Sequence, residues 1–238
     1  MTTTFAACEQ EFFNRFAGMG FEPACILDIG GSNAAWSTTI HSVFPEARYE
    51  IFEPLAGRRE DYDRILEWAL RTHPNFRLHA IALGSTDGES EFWNEPAGVG
   101  SSLLVSNVPK DQKITVPVRR LDDYLADKRL SQPQLIKIDV QGGEREVIEG
   151  GARTIEAADV LHLETWLTRG YGPSTPLLTE LIDTLRPLGH VLVQLGDFWR
   201  KPNQELASID AFFVHTRYID RLTKRGNFPW PSAWSSAA

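Results

Sequence analysis

Between residues 24 and 84 the sequence alternates apolar runs of strand length with segments of helical spacing. "ACILDIG" (24–30) is a continuous apolar run broken only by one acid, the pattern of a strand buried on both faces. "AAWSTTIHSVF" (34–44) reads as a helix that stops before Pro45, and "ARYEIFEP" (47–54) as a second strand ended by Pro54. In "RREDYDRILEWALRTH" (58–73), Tyr62, Ile65, Leu66 and Ala69 recur at helical spacing. "FRLHAIALG" (76–84) reads as a third strand. This β-α-β-α-β order predicts a parallel sheet with helical crossovers.

Upstream, residues 9–18 read as an amphipathic helix with Phe12, Phe13 and Phe16 on one side, inside an N-terminal extension of residues 1–23. Residues 85–120 break the rhythm. "GESEFW" and "ITVPVRRL" alternate like half-exposed strands around a loop with Gly98, Gly100, Ser101 and Ser102. This segment is expected to be an irregular insertion near a substrate. "LDDYLADKRL" reads as a short helix, "QLIKIDV" (134–140) as a buried parallel strand, and "EREVIEGGARTI" as a helix. "ADVLHLETW" is a further strand and "TPLLTELIDTLRPLG" a helix closing at Gly189. "HVLVQL" and "DAFFVHT" follow with no helix between them, so they are expected to pair antiparallel across a loop. Residues 217–238 read as a C-terminal tail, whose end "NFPWPSAWSSAA" is expected to be loosely packed, with Trp230 and Trp234 free to dock on a neighbour. The prediction is one α/β domain over residues 1–238, with a mostly parallel sheet ending in a reversed strand.

Composition sets outer limits. With 42% hydrophobic and 24% charged residues the chain reads as globular. A net charge of −8 argues against a duplex nucleic-acid partner, because phosphate contacts need a basic face. No apolar run approaches the roughly 20 residues that span a bilayer, and the N-terminus lacks a signal-peptide pattern. Cys8 and Cys25 are too few for a disulfide framework or a cysteine metal site. The expected setting is cytoplasmic, with no membrane partner and no metal.

Within the first strand-helix junction, "ILDIGGSNAAWS", Asp28 closes the strand and Gly30-Gly31 permits a tight turn. The same turn could be a ligand grip, with Asp28 facing a cationic amino group or a hydroxyl. It could equally be a plain connection with Ser32 or Asn33 as N-cap. Glu53 ends the second strand, and a carboxylate about 20 residues past such glycines accepts hydrogen bonds from ribose hydroxyls. Loop and acid together favour a ribose-bearing ligand. A dinucleotide enzyme usually continues into another βαβ half, whereas a reversed terminal strand suits the seven-stranded sheet of S-adenosylmethionine (SAM) methyltransferases.

The blocks "ILDIGGSNAAWS", "YEIFEP", "AIALGSTDGESEFW", "GSSL", "VRRLDDYL", "LIKIDVQGGEREVIEGG" and "VLHLETW" stand in an order that resembles the FkbM family of SAM-dependent O-methyltransferases, over roughly residues 24–216. The resemblance implies a Rossmann-like class I fold and a SAM cofactor. It implies that Asp28, Gly30 and Glu53 bind the cofactor, and Gly31, Ser32 and Asn33 of the first loop are assigned to the same ligand. It also implies that His79, Ala80, Ile81 and Ala82 border the adenine. Three departures stand out: Ser32 for the usual asparagine, Ala34 for glycine, and Gln141 for glutamate. Gln141 leaves one carboxylate fewer for holding a divalent metal.

A hydroxyl acceptor needs a base as it loses its proton, and ligands of open parallel sheets bind at the carboxyl ends of the strands. Asp139, His162 and Glu164 stand at those ends and are the candidate catalytic residues. His162 and Glu164 are two apart, hence on one face. For Asp139 a helix N-cap, and for His162 a core histidine, are the competing roles. Lys137 alternates onto the face of Asp139 and is expected to hold a carboxylate. Ser101, Ser102, Gln141 and Trp166 are assigned to the acceptor, a small molecule or glycoside. Trp93, Tyr171 and Trp199 could add aromatic walls. A nicotinamide oxidoreductase and a SAM-binding module without transfer activity are the alternative readings.

Overall fold

The computed structural model describes residues 6–94, 100–104 and 112–224. Their strands are β1 (Cys25–Ile29), β2 (Arg48–Phe52), β3 (Phe76–His79), β4 (Ala82–Leu83), β5 (Gly88–Trp93), β6 (Lys113–Arg119), β7 (Leu135–Ile138), β8 (Val160–Trp166), β9 (His190–Arg200) and β10 (Leu206–His215). The helices are α1 (Ala6–Gly18), α2 (Ala35–His41), α3 (Glu60–Thr72), α4 (Leu121–Lys128), α5 (Glu144–Gly150), α6 (Ala152–Ala157), α7 (Leu178–Leu185) and α8 (Thr216–Lys224). Seven strands form one sheet in the order β3-β2-β1-β7-β8-β10-β9. Strands β3, β2, β1, β7 and β8 are parallel, and β10 runs antiparallel to both β8 and β9. The reversed last strand expected from the sequence is therefore present. The chain leaves β1 toward β2 on one side and returns as β7 on the other. That reversal opens a crevice at the carboxyl ends of β1 and β7.

Strand alternation divides the core between the two faces. Ile26, Ile51, Leu135, Val160 and Phe212 pack with Phe12, Phe13 and Phe16 of α1, Ile40 of α2 and Leu66 of α3. Leu27, Ile136, Ile138, Leu161 and Phe213 pack instead with Tyr124 of α4, Val147 of α5 and Leu181 of α7. Phe12 stacks on Phe212 at 4.1 Å between ring centroids, so α1 is part of the main core rather than an extension beside it.

Several sequence-based boundaries shift. Residues 76–84 are not one strand: Ile81 N–H turns back to the His79 carbonyl at 2.9 Å, and β4 joins a second sheet. That sheet, β4-β6-β5, is the ordered form of the 85–120 insertion, and it carries its own cluster of Leu55, Phe92, Val116 and Val118. Gly98 lies outside the described residues. The helix expected after Val140 is two helices broken at Gly151, where a Cβ would meet Leu121 Cδ2 at 2.7 Å. The joint between the last two strands is not a long loop, because β9 runs to Arg200 and β10 begins at Leu206. The start of the tail is α8, anchored in the core by Tyr218, Ile219 and Leu222. Trp230 and Trp234 lie outside the described residues. Among those residues, no helix is long and apolar enough to cross a membrane.

Candidate active site

The β1–α2 turn is held largely by the protein itself. Asp28 is fully buried. Its Oδ2 accepts from Ser37 Oγ at 2.6 Å, and its Oδ1 lies 3.3 Å from Lys137 Nζ. The hydroxyl and cation predicted for Asp28 thus belong to this chain, because register places Lys137 directly opposite it on β7. Gly30 has φ +76°, and a Cβ there would sit 1.8 Å from the Asp139 carbonyl oxygen. Glycine is required there because the β1 loop passes the β7 loop, and its backbone also borders the adjacent cleft. A Cβ on Gly31 would meet Ile51 Cγ2 at 2.3 Å. Ser32 and Ala34 adopt left-handed backbone, φ +49° and +64°, where glycine would relieve steric cost. Asn33 Oδ1 accepts from Ala35 N–H at 3.1 Å, a capping contact at the start of α2.

Beside this turn lies a largely apolar cleft walled by Ile29, Phe52, Ile81, Ala82, Leu83 and Phe92. Gly30, Ser32 and Ser101 also reach it. Glu53 stands on its wall. Glu53 Oε2 accepts from Ser32 N–H at 2.9 Å and Oε1 from Leu55 N–H at 2.8 Å. Each carboxylate oxygen accepts more than one bond, so both retain capacity toward hydroxyls. Burial raises the Glu53 pKa, and these N–H groups oppose the rise without cancelling it. Of the four residues read as an adenine border, Ile81 and Ala82 line the cleft, while His79 and Ala80 do not. His79 Nε2 is 2.8 Å from Glu50 Oε2, its Nδ1 is 3.0 Å from the Tyr124 hydroxyl, and its ring stacks behind Phe52 at 4.6 Å.

At the end of β7 an amide joins two acids. Gln141 Nε2 donates to Asp139 Oδ1 at 2.7 Å and to Glu164 Oε2 at 2.9 Å. Gln141 Oε1 accepts from the Tyr171 hydroxyl. Ser208 Oγ donates to the second Glu164 oxygen at 3.2 Å. Burial, then the carboxylates of Asp139, Glu144 and Asp210, push Glu164 well above the usual carboxylate range. Lys137 Nζ donates to the Gly30 carbonyl at 2.8 Å and lies 3.4 Å from Asp139 Oδ2. Burial favours its neutral form, but Asp28 and Asp139 prevail and raise its pKa. Glu144 Oε1 accepts from Val140 and Gly142 N–H, fixing the loop that carries Gln141 at φ +57°. Burial pushes its carboxyl up to about 8.

A second cavity adjoins the first, lined by Trp36, Lys137, Asp139, His162, Glu164 and Asp210 together with Glu9 of α1. Asp139 is the one described residue that lines both. His162 and Glu164 share this face, as alternation predicts. His162 lies flat against Phe212, 4.6 Å and 7° apart. Burial lowers its pKa, but Glu9 and Asp210 outweigh that and leave it raised. Ser102 is not an acceptor contact: it is fully buried, and its hydroxyl donates to the Gln141 carbonyl at 2.7 Å. Trp166 is also buried and packs edge-on against Tyr171 at 5.0 Å, so it supports Tyr171 and lines neither cavity. Trp199 is exposed on β9. Glu9 and Asp210 escaped sequence reasoning because they meet His162 across long chain separations, and Ser37 because only the fold of the β1–α2 turn brings its hydroxyl back onto Asp28, nine residues away.

The methyltransferase FkbM domain profile matches residues 28–192, more than half of the chain. The chain belongs to the FkbM methyltransferase family. The 2-O-methyltransferase NoeI of Sinorhizobium fredii is 30% identical over 152 residues, covering 58% of this chain and 62% of NoeI. Methyltransferase 1 of Beauveria bassiana is 24% identical over 144 residues, covering 52% of this chain and 57% of that protein. The chain thus spans less than two thirds of the length of these relatives. The crystal structure of methyltransferase FkbM from Methylobacillus flagellatus shares the fold, with TM-score 0.50 and 19% identity over 86% of this chain and 51% of that one. Membership in this family implies SAM as the cofactor. The cleft fits it: a buried carboxylate with acceptor capacity stands in an apolar wall, as a nucleoside with a free ribose requires.

Proposed function

We propose that this protein transfers a methyl group from SAM to a hydroxyl of a small molecule or glycoside. The carrying observation is that Asp139 lines both cavities. Glu53 holds the ribose hydroxyls, and Phe52, Ile81 and Ala82 wall the base. The acceptor enters the second cavity, and Asp139 takes the proton of its hydroxyl. When bound, SAM would supply an electrophilic methyl carbon. Asp139 would hold the proton that the acceptor hydroxyl gives up on methylation. Gln141 and Lys137 fix the Asp139 carboxylate from two sides, which keeps its orientation through the transfer. Glu164 acts through Gln141 as a positioning residue. NoeI, named as a 2-O-methyltransferase, supports an oxygen acceptor.

A panel of hydroxylated acceptors incubated with SAM tests the reading by mass spectrometry. The expected outcome is an acceptor heavier by one methylene unit, with S-adenosylhomocysteine formed in equal amount. Calorimetry that finds NAD bound and S-adenosylhomocysteine not bound overturns it.

A further inference from the structure

The second cavity holds a side-chain cluster that methyl transfer does not use. Glu9 of α1, His162 of β8 and Asp210 of β10 each offer one ligand atom, and the three atoms lie within 4.8 Å of one another. His162 Nε2 is 3.5 Å from Glu9 Oε1 and 3.6 Å from Asp210 Oδ1. Those separations exceed a hydrogen bond. Among the described residues neither ring nitrogen of His162 has a hydrogen-bond partner, and Glu9 and Asp210 face Nε2 only at ion-pair distance, although the residue is 2% exposed and lines the cavity. Native proteins rarely leave a buried polar group in that state.

The same separations have a positive meaning. Nitrogen and oxygen ligands lie about 2.0–2.2 Å from a tetrahedral zinc-class ion, which places neighbouring ligands about 3.3–3.6 Å apart; the two separations from His162 match this, and Glu9 and Asp210, within 4.8 Å of each other, would close on the ion by side-chain rotation. A neutral imidazole with two carboxylates supplies two negative charges, enough to balance a dication. Lys137 lines the same cavity, but Asp28 and Asp139 already flank its ammonium. Stacking on Phe212 fixes the imidazole plane, so the ring needs no rearrangement to bind.

We propose that Glu9, His162 and Asp210 bind one divalent ion of the zinc class, with the fourth position open to the second cavity. The ion joins α1 to two strands of the sheet and so closes the wall of that cavity. Glu9 and Asp210 lie outside residues 28–192, so two of the three ligands come from segments beyond the family match.

The test uses the full chain, freed of any affinity tag and stripped with EDTA. Zn²⁺ is titrated by calorimetry, and Co²⁺ by its visible absorption. One equivalent per chain is expected, with the intense bands of four-coordinate cobalt. Glu9→Gln and Asp210→Asn are near-isosteric, and neither residue is in the apolar core. Each should weaken Zn²⁺ binding at least about tenfold while the stripped protein keeps its Tm. Failure of the wild-type chain to take up either ion stoichiometrically, or unchanged affinity in both variants, overturns the proposal. S-adenosylhomocysteine binding by the same stripped protein reports separately on the methyltransferase reading.

Discussion

Gln141 lies 2.9 Å from Glu164 and places an amide, rather than a third carboxyl, between two acids at the end of β7. The same nitrogen reaches Asp139 at 2.7 Å. The departure at position 141 is thus matched by its surroundings: an amide donates to both acids, which a carboxylate cannot do. Gln141→Glu should therefore lower stability as well as turnover. A fall in Tm of at least about 4 °C is expected, since two donated bonds are lost and like charges gather. Thermal unfolding of both proteins at neutral pH checks this, and a Tm equal to wild type would remove the bridge from the account.

Asp139→Asn keeps an oxygen for Gln141 but cannot accept a proton. Turnover should fall about 10²–10⁴-fold, while S-adenosylhomocysteine affinity stays within a few-fold. Steady-state kinetics and calorimetry on one preparation separate the two effects. Unchanged kcat removes Asp139 as the base.

Glu53→Ala removes the carboxylate that faces the ribose in the proposed cofactor cleft. Cofactor affinity should weaken about tenfold to a hundredfold, the loss expected for hydrogen bonds to a charged acceptor. Calorimetry with S-adenosylhomocysteine measures it, and wild-type affinity would show that the ribose binds elsewhere.

Gly30→Ala forces a methyl group to within 1.8 Å of the Asp139 carbonyl unless the loops move apart. We expect a loss of at least about 4 kcal/mol by urea unfolding, or failure to fold, well beyond an ordinary surface change. A variant as stable as wild type would mean that the two loops do not meet.

Two buried groups should set opposing pH limits on stability. Burial lowers His190 from 6.5 to about 4. Its contribution is complete above pH 6.5, where neither state is protonated, and is lost as pH falls toward 4, because the unfolded chain takes up the proton first. Glu144 behaves oppositely. Its contribution is complete below about pH 4.5 and is lost as pH rises toward 8, because the unfolded carboxyl ionises first. Chemical unfolding across pH 4–8 should show the acid-side loss shrink in His190→Gln and the alkaline-side loss shrink in Glu144→Gln. Parallel curves for all three proteins contradict both assignments.

The sequence by itself determined the sheet and its carboxyl-end crevice. Apolar runs such as "ACILDIG" and "QLIKIDV" carry strand periodicity locally, and a pair of final strands without a helix between them favours reversal of direction. It also marked Glu53, Asp139 and Glu164, because those acids end such strands. Tertiary structure alone decided what each group touches. Asp28 looks like a ligand contact until Lys137 appears beside it from a strand more than a hundred residues later. Gly30 borders the cleft, but only the fold shows that its missing Cβ makes room for the Asp139 carbonyl. Glu9, His162 and Asp210 share no spacing that a motif could record, yet α1, β8 and β10 bring them within 4.8 Å. Periodicity reports which face a residue takes. Only packing reports which distant residue meets it there.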